Sequence, residues 1–169
     1  AGLLYVRSGL KLEPVLHGGG QELGRRSGTH NVAGIVGLVT AMELSAADRT
    51  DFRRRVGGAR DRFEEVLTAE LGDVILTVDE PRLVQHSHLR IPGVASETLL
   101  IRLDQAGVAA AAGSACQSGA IETSHVLEAM GASEAVAAES VRFTFGWVND
   151  VADGEEAAKR VAAVAGELR

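Results

Sequence analysis

The feature that most constrains the fold is a change of hydrophobic period at Gly72. Before it, apolar residues recur at helical spacing. Val32, Ile35, Val36, Val39 and Met42 mark one helix from Asn31 to about Ser45, and Phe52, Val56, Ala59, Phe63, Val66 and Leu67 mark a second segment. Gly57 and Gly58 each weaken that second segment by about 1 kcal/mol relative to alanine, so packing must hold it. After Gly72 the runs shorten, and the spacing predicts strands at 73–78, 84–91, 107–111 and 140–146. Helices are predicted between them at about 96–106 and 124–130, and a closing helix carries Ala157, Val161, Val164 and Leu168 on one face. Two helical segments followed by alternating strands and helices predict an α/β chain.

The first seven residues, Ala-Gly-Leu-Leu-Tyr-Val-Arg, read as a buried strand already under way. Residues 17–29 hold so many glycines that no regular element is expected there. No internal repeat is visible.

Composition narrows the function classes. With 46% hydrophobic and 24% charged residues the chain is not globally disordered. Its 17 basic against 23 acidic residues leave a formal charge of −6, which opposes broad binding to a nucleic-acid backbone. The longest apolar stretches fall well short of the roughly 18 residues of a membrane span, and no basic-then-apolar leader opens the chain. A soluble, cytoplasmic protein is expected. The one cysteine cannot form an internal disulfide, in keeping with a reducing compartment.

Two loops carry candidate chemistry. Gly18, Gly19, Gly20, Gly24, Arg25, Arg26, Ser27, Gly28 and Thr29 run into the first helix. Backbone N–H groups, hydroxyls and guanidiniums at the positive end of a helix suit a phosphate, although the loop matches neither a P-loop nor a dinucleotide fingerprint. The alternative is a structural loop with an ordinary helix cap. Cys116 sits in Gly-Ser-Ala-Cys-Gln-Ser-Gly-Ala (113–120), whose small polar neighbours predict an exposed, mobile loop carrying a reactive thiol rather than a buried one. His125, His17 or His30 could pair with such a thiol, but nothing local selects among them. His86 and His88 alternate along a predicted strand and so share a face, where a metal with Cys116 is a further possibility.

The first half of the sequence contains Leu-Tyr-Val-Arg (4–7), Leu-Glu-Pro (12–14), His-Gly-Gly-Gly-Gln-Glu (17–22), Gly-Arg-Arg-Ser-Gly-Thr (24–29) and Asn-Val-Ala-Gly-Ile-Val-Gly (31–37). The second half contains Gly-Ser-Ala-Cys (113–116), Ser-His-Val-Leu (124–127) and Val-Arg-Phe-Thr-Phe-Gly (141–146). Taken together and in this order, these motifs resemble the cysteine desulfurases of the NifS/IscS type, within the class V aminotransferases.

The resemblance implies the C-terminal part of a fold-type I pyridoxal-phosphate transferase. Residues 1–45 would be the end of the large cofactor domain, 46–72 the linking helix, and 73–169 the small α/β domain with the catalytic-cysteine loop. It implies a homodimer that converts L-cysteine to L-alanine, with Cys116 as the persulfide-forming nucleophile. Arg142 matches the arginine that grips the substrate carboxylate, and Thr29 the threonine that reaches the cofactor phosphate of the partner subunit. A sulfur-acceptor protein, such as an iron-sulfur scaffold or a thiolation enzyme, is the implied partner, and no metal is. The cysteine loop resembles that of the longer-looped branch.

The sequence departs from the family pattern at Leu23, His30 and Trp147. Its only lysines, Lys11 and Lys159, lie outside the Ser-x-His-Lys context of the family's Schiff-base lysine, which is expected upstream of this sequence. Two other functions fit a chain of this kind: a non-catalytic module that docks a sulfur acceptor, and a selenocysteine lyase-like enzyme.

Overall fold

A computed structural model describes residues 1–78, 81–112 and 124–169. The chain divides into two compact units, Ala1–Arg49 and Thr50–Arg169.

In the first unit, residues 1–6 form no strand, and Leu3, Leu4 and Tyr5 are 69%, 74% and 84% exposed. A strand needs a neighbour to take its backbone hydrogen bonds, and no described strand pairs with this segment. The glycine-rich segment is more ordered than its composition predicts. Gly20–Gln21 (β1) pairs antiparallel with Arg26–Ser27 (β2) around a tight 3₁₀ turn, Glu22–Gly24.

The helix α1, Val32–Leu71, runs for 40 residues. Two helical segments are expected from the pattern, but neither proline nor glycine lies between Ser45 and Phe52 to part them. Asn31 caps the start, its side-chain oxygen accepting from the Gly34 N–H at 3.0 Å. Gly72 ends it in the left-handed conformation, φ +77°, its N–H closing on the Thr68 carbonyl at 2.9 Å.

The second unit is built on a three-stranded antiparallel sheet, ordered β3 (Ile75–Leu76), β4 (His86–Arg90) and β5 (Ser140–Thr144). The expected strand at 107–111 contributes a single bridge, Ala111 to Arg142. Helices α2 (Ser96–Gln105), α3 (His125–Ala129) and α5 (Val151–Glu167) occupy the expected positions. One further short helix, α4 (Glu134–Ala138), is capped by Ser133 and has too few apolar residues to show a period in the sequence.

One face of the sheet joins a continuous core. Ser87, Leu89, Val141 and Phe143 point inward, and Phe63 of α1 lies against Phe143 and Phe145 with ring centroids 4.7 and 5.5 Å apart. Val56 and Leu67 of α1, Leu99 and Leu103 of α2, and Ala158 and Val161 of α5 complete it, all fully buried. Each such aliphatic side chain stabilises the fold by about 1.5–3 kcal/mol relative to exposure. At the edge of the core, the Arg82 guanidinium meets the Glu64 carboxylate through two bonds of 2.7 Å.

Helices α1 and α5 meet at Gly154, where an added Cβ would lie 2.1 Å from the Ala59 carbonyl oxygen. Gly154→Ala should therefore lower stability by about 1–3 kcal/mol through overpacking. Gly37→Ala, on α1 with open space around it, should instead raise stability by about 0.5–1 kcal/mol. Urea unfolding of the two variants beside the parent checks both signs.

The same two helices share an ion-pair cluster. Lys159 and then Arg62 hold the Glu155 carboxyl down to about 2 from its ordinary 4.5, through contacts of 2.7 Å each. A carboxylate whose folded pKa is lowered stabilises the fold above its unfolded pKa and loses that contribution as protons arrive. Stability should fall between pH 4.5 and about 2, and Glu155→Gln should flatten this slope. Carboxyl NMR titration should place the Glu155 midpoint near 2.

Candidate active site

Thr29 belongs to the first unit, in the three residues between β2 and the Asn31 cap, and its side chain is exposed. The Gly34 N–H goes to the Asn31 side chain and the Ile35 N–H to the Asn31 carbonyl at 2.9 Å. The N–H groups of Val32 and Ala33 have no acceptor within the helix, so two donors remain at the positive end of the helix dipole, shortly after Thr29 in the chain. Arg26 is not available to a ligand in the same way. Its guanidinium donates to the Ser27, Gly28 and Thr29 carbonyls at 3.2, 2.9 and 3.5 Å and so shapes the loop. His30 is engaged with Glu22 at 3.0 Å. The donor set suits an anion such as a phosphate.

Arg142 belongs to the second unit, at the middle of β5, and projects from the face opposite the core. That orientation follows from alternation, since Val141 and Phe143 on either side point inward. Among the described residues, no hydrogen bond or ion pair engages its guanidinium. Across the sheet, His88 pairs directly with Arg142 and His86 with Thr144. The Arg142 N–H and carbonyl both bond to Ala111, at 2.7 and 3.0 Å, while the His88 carbonyl accepts from the Thr77 N–H at 3.0 Å. The backbones of His88 and Arg142 thus turn away from each other, which makes them a non-hydrogen-bonded pair, the kind whose side chains lie closest, with Cα atoms about 4.5 Å apart.

The two histidines are themselves held in place. His86 Nδ1 lies 3.0 Å from the Thr144 hydroxyl, and His88 Nδ1 contacts the Thr77 hydroxyl. Burial and then the Arg142 charge push both imidazoles below their ordinary pKa of 6.5. The face therefore presents one guanidinium, two neutral imidazoles and two threonine hydroxyls. A carboxylate is the complement of such a set.

The alternation of His86 and His88 is legible in the sequence, but their position opposite Arg142 depends on the register of β4 with β5. Among the described residues, no three acidic, histidine or cysteine side chains come together as a metal site. Cys116, with the loop around it, lies outside the described residues, and so do its expected pairings with His125, His17 or His30. A pocket of about 290 Å³ opens where α5 meets β5, but its polar residues are already engaged. Asn149 accepts from the Gly146 N–H at 2.8 Å, Asp153 completes the α5 cap, and Glu156 pairs with Arg160 at 2.8 Å.

Comparison with known proteins gives this geometry a family. The aminotransferase class-V family model matches residues 1–156. The chain belongs to that family. Among curated members it is 40% identical over 169 residues to a cysteine desulfurase of Gluconacetobacter diazotrophicus, which covers 99% of this chain and 42% of that protein. It is 38% identical over 168 residues to a cysteine desulfurase of Bradyrhizobium diazoefficiens, again 99% of this chain and 43% of the relative. Among solved structures, a NifS-like protein superposes with a TM-score of 0.81 at 28% identity, covering 96% of this chain and 41% of the other. The chain thus spans about two-fifths of the length of the class V relatives it matches, and its mixed helix and sheet architecture is that of the corresponding part of a NifS-like transferase.

The coupling of Arg142 to the histidines can be checked directly. Arg142→Ala should raise the NMR titration midpoints of His86 and His88, because it removes one of the two causes that hold them down. Since the folded values lie below 6.5, the parent binds fewer protons folded than unfolded just below that pH. Its stability should decline as pH falls from 6.5 toward the folded midpoints, and the variant should show a shallower decline.

Proposed function

We propose that this chain is the C-terminal part of a pyridoxal-phosphate-dependent cysteine desulfurase, with Cys116 as sulfur acceptor, Arg142 as carboxylate clamp and Thr29 as a phosphate ligand. The observation that carries the reading is the Arg142 guanidinium, exposed in the middle of a sheet face with no anionic partner among the described residues. An exposed guanidinium matches the carboxylate of an amino-acid substrate in shape and charge. The relatives named cysteine desulfurase, matched along nearly the whole of this chain, support L-cysteine as that amino acid.

The chemistry divides among the residues. Arg142 binds the substrate carboxylate and orients the amino acid. Thr29 and the N-terminal amides of α1 fit the cofactor phosphate, a role assigned across a homodimer. When bound, pyridoxal phosphate supplies an electron sink at the substrate α carbon. The Cys116 thiol takes the sulfur: the carbon-sulfur bond of cysteine breaks, a sulfur-sulfur bond forms, and the carbon gains a proton to give L-alanine. The persulfide is then passed to an acceptor protein. Neither lysine of this chain is a candidate anchor for the cofactor, since Lys159 is committed to Glu155 at 2.7 Å and Lys11 lies outside a Ser-x-His-Lys context. The anchor is assigned to sequence outside this one.

We assign residues 1–45 to the large domain, 46–72 to the linker and 73–169 to the small domain. The exposed apolar stripe of α1, with Val32 66%, Val36 59% and Met42 49% accessible, supports the first of these assignments. That stripe has the spacing of a buried helix face but no described residues to cover it. A cytoplasmic setting fits the lone cysteine and the absence, among the described residues, of any helix long and apolar enough to cross a membrane.

In the complete protein, Cys116→Ala should reduce alanine formation and persulfide labelling to background. Arg142→Ala should raise KM for L-cysteine by about 10- to 100-fold, the loss of a charged hydrogen-bonded contact. Unchanged sulfur transfer in the cysteine variant would overturn the assignment.

A further inference from the structure

The face around Arg142 holds more than the clamp. His88 occupies the directly opposed position on β4, in a non-hydrogen-bonded pair, where cross-strand side chains approach most closely. Its ring has a defined orientation. The Thr77 hydroxyl donates its only hydrogen to the His88 carbonyl oxygen at 2.9 Å, so toward the ring that oxygen can act only as an acceptor. With the hydroxyl hydrogen on that carbonyl, His88 Nδ1 carries the proton and donates to Thr77. In the neutral ring this leaves Nε2 as a bare lone pair, and among the described residues nothing bonds to it. A lone pair repels a carboxylate, whereas a protonated Nε2 donates to one.

The surrounding charges sharpen this. The groups that face His88 are Arg142 from β5, the non-ionisable Thr77 from the β3 side, and His86 and Arg90 along β4. Arg90 is already neutralised by Glu139, at 2.7 Å. Arg142 is therefore the charge that opposes a proton on His88, and an anion on Arg142 would remove that opposition. Two cations directly opposed on a sheet are destabilising by themselves, and an anion between them reverses the sign.

We propose that His88 is a second recognition residue for the carboxylate gripped by Arg142, which it meets as an imidazolium, so that carboxylate binding at this face takes up a proton. The proposal rests on the reading of Arg142 as a carboxylate clamp and adds to it a residue, an orienting partner in Thr77, and a pH dependence. Linkage is reciprocal: whatever factor the bound carboxylate adds to the proton affinity of His88, the proton adds to the affinity for carboxylate. Binding tightens as pH falls through the His88 midpoint.

The test is an NMR titration of the histidine ring protons of the full chain with propionate, against chloride at matched ionic strength. Propionate should raise the His88 midpoint by about one unit, and His86 less because it is opposed to Thr144 instead. By reciprocity the Kd for the propionate anion should tighten as pH falls through the His88 midpoint, by the factor that the shift corresponds to, about tenfold. The shift should vanish in Arg142→Ala, a substitution at an exposed position that leaves the core untouched, and should survive in Arg142→Lys. His88→Asn should bind propionate with only the weaker pH dependence that His86 contributes. If propionate moves the Arg142 side-chain resonance while the His88 midpoint stays fixed, His88 is a bystander and the proposal fails, with the clamp intact. If neither responds, the clamp fails with it. An equal His88 shift in Arg142→Ala would show that the two residues do not share the anion, which also overturns the proposal.

Discussion

The register of β4 against β5 is the constraint on which the rest of the second unit depends. It sets Ser87 opposite Phe143 and Leu89 opposite Val141 on the core face, and His88 opposite Arg142 and His86 opposite Thr144 on the other. A slip of one residue would turn every side chain of one strand to the wrong face, burying the histidines if β4 turned or putting Phe143 in water if β5 did. The penalty for that exchange is many times the worth of any polar contact on the outer face. The chemistry of the outer face is therefore positioned by the hydrophobicity of the inner one. The Arg142 side chain needs no hydrogen bond of its own to be placed on this face, because Val141 and Phe143 hold the strand.

Helix α1 shows the same pattern of residues with two outcomes. In its second part Val56, Ala59, Phe63 and Leu67 are fully buried, closed over by the sheet and α5. In its first part Val32, Ile35, Val36 and Val39 recur at the same spacing and remain accessible. Periodicity states that a helix has a face to bury. It does not state what buries it. The close crossing at Gly154 illustrates the other side of this, since the approach of α5 to α1 is possible only where a side chain is missing.

Charge plays a local part in this architecture. The Glu64 and Arg82 pair, two-pronged and largely buried, fastens the segment before β4 to α1. Glu139 accepts from the Gly93 N–H at 2.9 Å and from Arg90 at 2.7 Å, joining the end of α4 to the turn before α2, and these contacts lower its pKa. Most other pairs are exposed, and exposed pairs contribute about 0–1 kcal/mol each. Arg142 stands at the middle of a sheet face with no hydrogen bond or ion pair to its guanidinium among the described residues, which is why the clamp reading attaches to it.

Much of this was legible in the residues themselves. The break of period at Gly72, the helices at α2, α3 and α5, and the alternation of His86 and His88 along β4 all follow from local rules that depend on neighbours a few positions away. The family likeness was likewise written in short motifs. What local rules could not supply was partnership. The opening run Leu3 to Val6 has the composition of a strand but no neighbour to pair with among the described residues, and the glycine-rich segment gained a small ladder because Gly20 and Gln21 found Arg26 and Ser27. Thr29 and Arg142 could be named from the sequence alone. The coupling of Arg142 to His88 could not, because those residues are 54 positions apart and only the β4 and β5 register brings them face to face. Sequence determines what each segment can bury or donate, over the range of a few bonds, whereas the tertiary structure decides which segment receives it.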